Sequence, residues 1–119
     1  MPLDDTNWPT IETEVPDETT ALLIRARGLI ARGWCRGTLA RSFLGFQVSP
    51  YSTRACRWCP SGALRAARLT ASDLVWRCAC TRLIAAIDGE DLSEFSDRQE
   101  AVEPVLAAFD RAIAADAST

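Results

Sequence analysis

Apolar residues recur with helical spacing in the first third of the chain. They lie three or four positions apart, which places them on one face of a helix, and they are Leu22, Leu23, Ala26, Leu29, Ile30 and Trp34. Asp17 or Thr19 can cap the start of such a helix, and Gly33 can end it. The pattern therefore predicts a helix over residues 18–32.

A second helical pattern is interrupted by a proline. Ser52 or Thr53 offers a cap for a helix that runs to about Leu69. Pro60 lies inside this stretch, lacks the amide that would bond back to Cys56, and crowds that carbonyl with its ring. We therefore expect a kink or a restart at Pro60.

Two further helices are predicted in the C-terminal half. Residues 70–73 read as a capping box, and the apolar face that follows runs to about Ala86. Residues 88–97 form an acidic connector. The last helix begins either at a second capping box, Ser96-x-x-Gln99, or near Val102 or Glu103, which would place Pro104 in the first turn.

The segment between the first two predicted helices has no helical period. Residues 38–50 carry apolar runs on each side of Gly45, which indicates a short β-hairpin or an extended loop. A hairpin alone is marginal in water, so it has to lie on the helices. The predicted fold is mainly α, a compact bundle of about four helices with this hairpin or loop near 38–50.

Length and composition are those of one globular domain, residues 1–119, since the chain is 48% hydrophobic. Residues 1–17 form an acidic N-terminal arm and residues 18–115 a helical body. The apolar runs fall far short of the roughly 20 residues that a membrane-spanning helix needs, and the acidic N-terminus does not resemble a secretory signal. We therefore expect a cytoplasmic protein that does not associate with membranes.

Charge is sorted along the chain, although the net charge is only −3. Residues 21–87 contain eleven arginines and one acid, whereas residues 1–20 contain six acids and no base. The basic middle could bind the phosphates of a nucleic acid, or the acidic ends could fold over it and neutralise it. The candidate binding residues are Arg25, Arg57, Arg65, Arg68 and Arg82, together with Trp8 of the arm.

The spacing of the cysteines raises the hypothesis of a zinc site. Cys56-x-x-Cys59 followed by Cys78-x-Cys80 approaches a four-thiolate zinc pattern. On a regular helix, however, Cys78 and Cys80 point about 200° apart and cannot both reach one ion. Cys56 and Cys59 are left as a weaker metal alternative, and the favoured interpretation is that the cysteines are reduced and act as small apolar residues.

Catalytic chemistry finds little support in the sequence. The chain has no histidine that could serve as a base for a thiol or a hydroxyl. An enzyme is therefore the least favoured class, and we assign no catalytic residue and no cofactor. Trp34, Trp58 and Trp76 lie on or beside apolar helical faces, where tryptophan is usually part of the core.

Three short motifs lie along the chain, and they are Gly-Trp-x-x-Gly at residues 33–37, Cys-x-x-Gly-Ala-Leu at residues 59–64 and Asp-Arg-Ala-Ile at residues 110–113. Together they resemble a family of small uncharacterised bacterial and phage proteins. The resemblance implies a helical domain over about residues 20–115 and a bacterial or phage origin, and it transfers no activity. With Trp58, the matching positions predicted to be structural are Trp34, Cys59, Gly62, Asp110 and Arg111.

The function that we expect from these features is binding or regulation, because no catalytic constellation is present. A protein partner is the first hypothesis. The alternative is a nucleic acid bound by the arginines of residues 21–87, with an affinity that falls steeply as salt rises.

Overall fold

The computed structural model describes residues 17–115, which form five helices and a small antiparallel sheet of two strands. The elements, in order, are α1 (Glu18–Arg32), β1 (Ala40–Arg41), β2 (Arg57–Trp58), α2 (Pro60–Ala67), α3 (Asp73–Ala86), α4 (Leu92–Arg98) and α5 (Glu103–Ala115). The mainly α fold with a short hairpin confirms the prediction. Residues 1–16, which hold most of the predicted acidic arm and Trp8, lie outside the described residues.

Helix α1 is the element around which the other long helices pack. Its apolar face contacts α2, α3 and α5, and Leu22, Leu23 and Ala26 on that face are fully buried. The predicted bounds of α1 are confirmed. Asp17 caps the helix, because its Oδ1 accepts a hydrogen bond from the Thr20 amide at 2.7 Å.

Helix α2 begins at Pro60, so the predicted helix start at Ser52 or Thr53 is wrong and the predicted restart is correct. Proline suits the first position of a helix, since its missing amide would have no partner there. Cys59 is the cap, and its Sγ accepts a hydrogen bond from the Gly62 amide at 3.4 Å. The preceding residues are turns and strand β2 instead.

The hairpin predicted near residues 38–50 is present, but its paired strand lies further along the chain. Ala40 is opposite Trp58 and Arg41 is opposite Arg57, and Arg41 also bridges Gln47. The chain therefore turns twice between β1 and β2, once at residues 42–46 and again at residues 49–54.

The C-terminal half has the two helices predicted at α3 and α5 and departs from the prediction between them. The predicted capping box at residues 70–73 is wrong, because Ser72 caps α3 and its Oγ accepts a hydrogen bond from the Val75 amide at 3.2 Å. Helix α5 begins at Glu103, which is one of the two predicted starts. The acidic connector contains a further helix, α4, capped by Asp91, whose Oδ1 accepts from the Glu94 amide at 3.0 Å. Ser96 is not a helix cap; it is fully buried in α4. None of the five helices combines the length and apolarity needed to cross a membrane.

Gly62 is the point where the loop before β1 meets α2. A Cβ atom at Gly62 would lie 1.9 Å from the Leu39 carbonyl oxygen, which is far inside any tolerated contact. The same carbonyl accepts a hydrogen bond from the Cys59 amide at 3.2 Å. Backbone approaches backbone here, and only glycine leaves the space.

We expect Gly62→Ala to lower the free energy of unfolding by about 2–3 kcal/mol, because the added methyl group forces the backbone of residue 39 away from α2. Gly28→Ala is the matched control, since a Cβ atom there meets no atom within 4 Å on the exposed face of α1. That control should gain about 0.5–1 kcal/mol. Urea denaturation followed by circular dichroism measures the free energy of unfolding of both variants. Equal effects of the two substitutions would contradict a close backbone contact at Gly62.

Candidate functional site

The structure exposes a group of large apolar side chains on the loop between β1 and β2. Phe43, Leu44, Phe46 and Tyr51 have 81%, 76%, 67% and 67% of their surfaces exposed. Soluble proteins seldom display contiguous apolar patches, and those that do often use them to bind a partner. We call residues 42–51 the apolar loop.

The apolar loop is held in place by its own backbone. The Ser42 amide donates to the Phe46 carbonyl at 2.8 Å, and the Gly45 amide donates to the Ser42 carbonyl at 2.9 Å. Arg41 Nη1 adds a hydrogen bond to the Gly45 carbonyl at 2.9 Å. Gly45 has φ +92°, a conformation that side chains disfavour. The exposed rings therefore stand on a turn fixed by hydrogen bonds.

A concave surface lies on this loop. It is open to solvent, has a volume of about 460 Å³ and is lined by Ser42, Phe43, Leu44, Phe46, Val48 and Arg54. The walls are mainly apolar, and Arg54 is the one charged residue among those lining it. The loop thus combines apolar surface, a fixed backbone and a nearby cation.

Of the predicted binding arginines, Arg82 is tied most closely into the fold. Its Nη2 donates to the Ala112 carbonyl at 2.6 Å and to the Ile113 carbonyl at 3.2 Å. Its Nη1 donates to Thr20 Oγ1 at 2.9 Å. Arg82 therefore joins α3 to the last turn of α5 and to α1.

The other four candidate arginines are distributed over two regions. Arg25 Nε donates to the Ala67 carbonyl at the end of α2, at 3.1 Å. Arg68 pairs with Asp73, and Arg65 and Arg68 lie over the ring of Trp76 at 5.8 and 5.5 Å from its centre. Arg57 lies half-buried in β2. The structure thus brings Arg65 and Arg68 together and places Arg57 and Arg82 elsewhere.

The residues predicted to be structural occupy contacts within the fold. Trp34 Nε1 donates to Ser96 Oγ at 3.0 Å, and the buried Trp58 donates from Nε1 to the Pro50 carbonyl at 3.3 Å. Asp110 Oδ1 lies 2.6 Å from Nε of Arg27. Arg111 Nε donates to the Ala86 carbonyl at 3.1 Å, at the end of α3.

The cysteine side chains differ in their surroundings. Cys35 and Cys59 are buried, whereas Cys78 is exposed. Burial raises the pKa of Cys35 to about 11, because the thiolate would lose its hydration, and burial also raises the pKa of Cys59. Between residues 17 and 115, no three cysteine, aspartate or glutamate side chains are grouped so that they could hold a metal ion. The buried thiols are protonated near neutral pH and are weak nucleophiles.

Sequence reasoning did not identify the apolar loop as a site. The apolar residues around Gly45 were expected to lie on the helices, and the structure instead turns Phe43, Leu44 and Phe46 to solvent. One signal was available. Four large apolar residues flank Gly45 within residues 43–48, which is more than one face of a short strand can bury, and they are Phe43, Leu44, Phe46 and Val48.

We expect Arg82→Met to lower the free energy of unfolding by about 2–3 kcal/mol, because the partly buried carbonyls of Ala112 and Ile113 near the end of α5 lose a charged donor. Arg77→Met is the matched control, since Arg77 is an exposed arginine of the same helix. Its effect should stay within about 0.5 kcal/mol. Thermal and urea denaturation measure both, and a loss at Arg77 as large as that at Arg82 would argue against this role.

Stability should fall as the pH rises from 9.0 to about 11, the interval between the ordinary pKa of a thiol and the raised pKa of Cys35. The folded state holds the Cys35 proton more tightly than the unfolded state, so deprotonation favours unfolding. The chain has no lysine or histidine, but burial also raises the pKa of Cys59 and Cys80, so Cys35 accounts for only part of the decline in this interval. Urea denaturation across the range should show a shallower decline for Cys35→Ala and an unchanged decline for the exposed control Cys78→Ala. If stability declined with pH in Cys35→Ala as steeply as in the unaltered chain, the raised pKa of Cys35 would be refuted.

Comparison with known proteins identifies a family for this fold. No significant match was found among curated proteins or among solved structures. The model of a family described as "Family of unknown function (DUF6197)" matches residues 14–115, a range that includes every helix and strand described above. Because this match covers most of the 119 residues, the chain belongs to the DUF6197 family.

Proposed function

We propose that this chain is a small protein-binding module of a bacterium or phage, and that the apolar loop with Arg54 is its contact surface. The observation that carries the proposal is the exposure of Phe43, Leu44 and Phe46 on a turn that is fixed by backbone hydrogen bonds. These side chains contribute little to the core of the folded chain. Their burial against a partner would remove a large apolar area from water.

The fixed turn favours binding in a second way. Ordering a loop during association costs free energy, and a loop that is already hydrogen-bonded avoids part of that cost. Aromatic side chains and arginine are also enriched in the centres of protein interfaces, where single truncations can cost 2 kcal/mol or more. The cavity on the apolar loop has both kinds of residue in its wall, because Arg54 lines it beside Phe43 and Phe46.

The nucleic-acid alternative has less support from these contacts. Arg25, Arg68 and Arg82 each donate to backbone carbonyls of the fold. A phosphate would have to compete with those bonds. Binding of nucleic acid through residues 21–87 stays a prediction, and the protein-binding proposal uses exposed groups that the fold leaves available.

The proposal can be tested by site-specific photo-crosslinking in cells of the source organism. A benzophenone amino acid replaces Phe46 in one variant and Leu74, which is equally exposed on α3, in a control variant. We expect a discrete protein adduct from position 46 that is absent from position 74. Adding Phe43→Ser to the position-46 variant should lower its yield at least five-fold.

The partner identified in this way is then purified and titrated against the chain. Phe46→Ser should weaken binding at least ten-fold and change the free energy of unfolding by less than about 0.5 kcal/mol, since the ring is exposed. Equal crosslinking at both positions, or adducts with nucleic acid or lipid alone, would reject the proposal.

A further inference from the structure

The cavity on the apolar loop limits the shape and polarity of whatever enters it. Its volume of about 460 Å³ exceeds the roughly 150 Å³ that accommodates a benzene ring in a protein core. Phe43, Leu44, Phe46 and Val48 supply most of its wall. A large aliphatic or aromatic side chain fits such a space and loses no hydrogen bonds on entering it.

Arg54 limits the charge of the occupant. Its side chain is exposed and has no ion pair or hydrogen bond among residues 17–115, in contrast to Arg27, Arg68 and Arg98, each of which pairs with an acid. The sequence has no aspartate or glutamate from residue 19 to residue 72. A partner that covered Arg54 with apolar atoms would leave a charge without water or a counter-ion, which is costly.

We propose that the partner presents a short peptide segment in which a large apolar side chain lies next to a carboxylate. The apolar side chain enters the cavity between Phe43, Phe46 and Val48, and the carboxylate pairs with the guanidinium of Arg54. This inference rests on the proposed function, because it names the chemistry of the partner at the same loop. The carboxylate selects among apolar segments that would otherwise bind alike.

An anionic membrane surface shares part of this chemistry, since it also accepts aromatic rings and arginine. The loop favours a peptide for a geometric reason. Its apolar side chains surround a concave space with a single cation at the wall, and an inserted side chain fills a concavity that the flat boundary of a bilayer leaves open.

The test is a selection of random peptides displayed on phage against the full-length protein. Four versions are used: the unaltered chain, Arg54→Glu, Phe46→Ser and the control Arg77→Glu, an exposed arginine on α3. Peptides enriched on the unaltered chain should carry a large apolar residue within two or three positions of Asp or Glu. The best of them, made synthetically, should bind Arg54→Glu at least ten-fold more weakly and Arg77→Glu equally well.

Selection on the charge-reversed variant Arg54→Glu tests the ion pair more directly than loss of binding does. Selection on Arg54→Glu should enrich peptides in which Lys or Arg replaces the acid while the apolar residue is retained. Enriched peptides that need Phe46 but lack acids, or that ignore Arg54→Glu, would overturn this inference and leave the proposed function in place. If no enriched peptide depends on Phe46, both fail.

Co-sedimentation with vesicles of phosphatidylcholine and phosphatidylglycerol distinguishes binding to a membrane from binding to a peptide. We expect no retention of the chain at physiological salt. Retention that Phe46→Ser and Arg54→Glu both abolish, without any Phe46-dependent peptide, would replace the peptide with a lipid surface. Circular dichroism of each variant confirms that the exposed substitutions leave the fold intact.

Discussion

The arrangement of this domain depends on the close approach of two backbones at Gly62. The Leu39 carbonyl lies where a side chain of α2 would otherwise stand, and it accepts the Cys59 amide that precedes the helix. This contact holds β1 against the start of α2, and β1 in turn pairs with β2. The apolar loop leaves from β1, so the place where it starts depends on a space that only glycine provides.

The periodicity of apolar residues and the capping residues predicted the long helices, because the bounds of a helix depend mainly on residues within it and next to it. The bounds of α1 follow from a regular apolar period and a capping aspartate, and apolar periods also identify α3 and α5, although the cap of α3 is Ser72 and not the predicted Thr70. Helix α4 escaped prediction because it is a single short stretch of acidic sequence stabilised by a cap and by the burial of Leu92 and Ser96. Periodicity does not predict the exposure of the apolar loop, because it identifies apolar residues without showing which of them lack a surface to cover.

The structure gives a third explanation for the basic middle segment, besides nucleic-acid binding and neutralisation by the acidic ends of the chain. The last carbonyls of a helix have no partner within the helix. Arg25 donates to such a carbonyl at the end of α2 and Arg82 does so at the end of α5, whereas Arg111, which lies outside residues 21–87, does so at the end of α3. A basic middle segment is therefore partly a supply of donors for helix ends, and lysine would not replace Arg82, whose planar guanidinium reaches two carbonyls and a hydroxyl at once.

The arginines around the apolar loop also bear on how the chain behaves when no partner is present. A run of exposed aromatic and aliphatic residues favours association between copies of a protein, and flanking charges commonly suppress such association. Arg41 and Arg54 lie on either side of the loop in the sequence, and no acid is near them along the chain. Two copies that met through their loops would bring these like charges together, and this repulsion opposes self-association through the apolar loop.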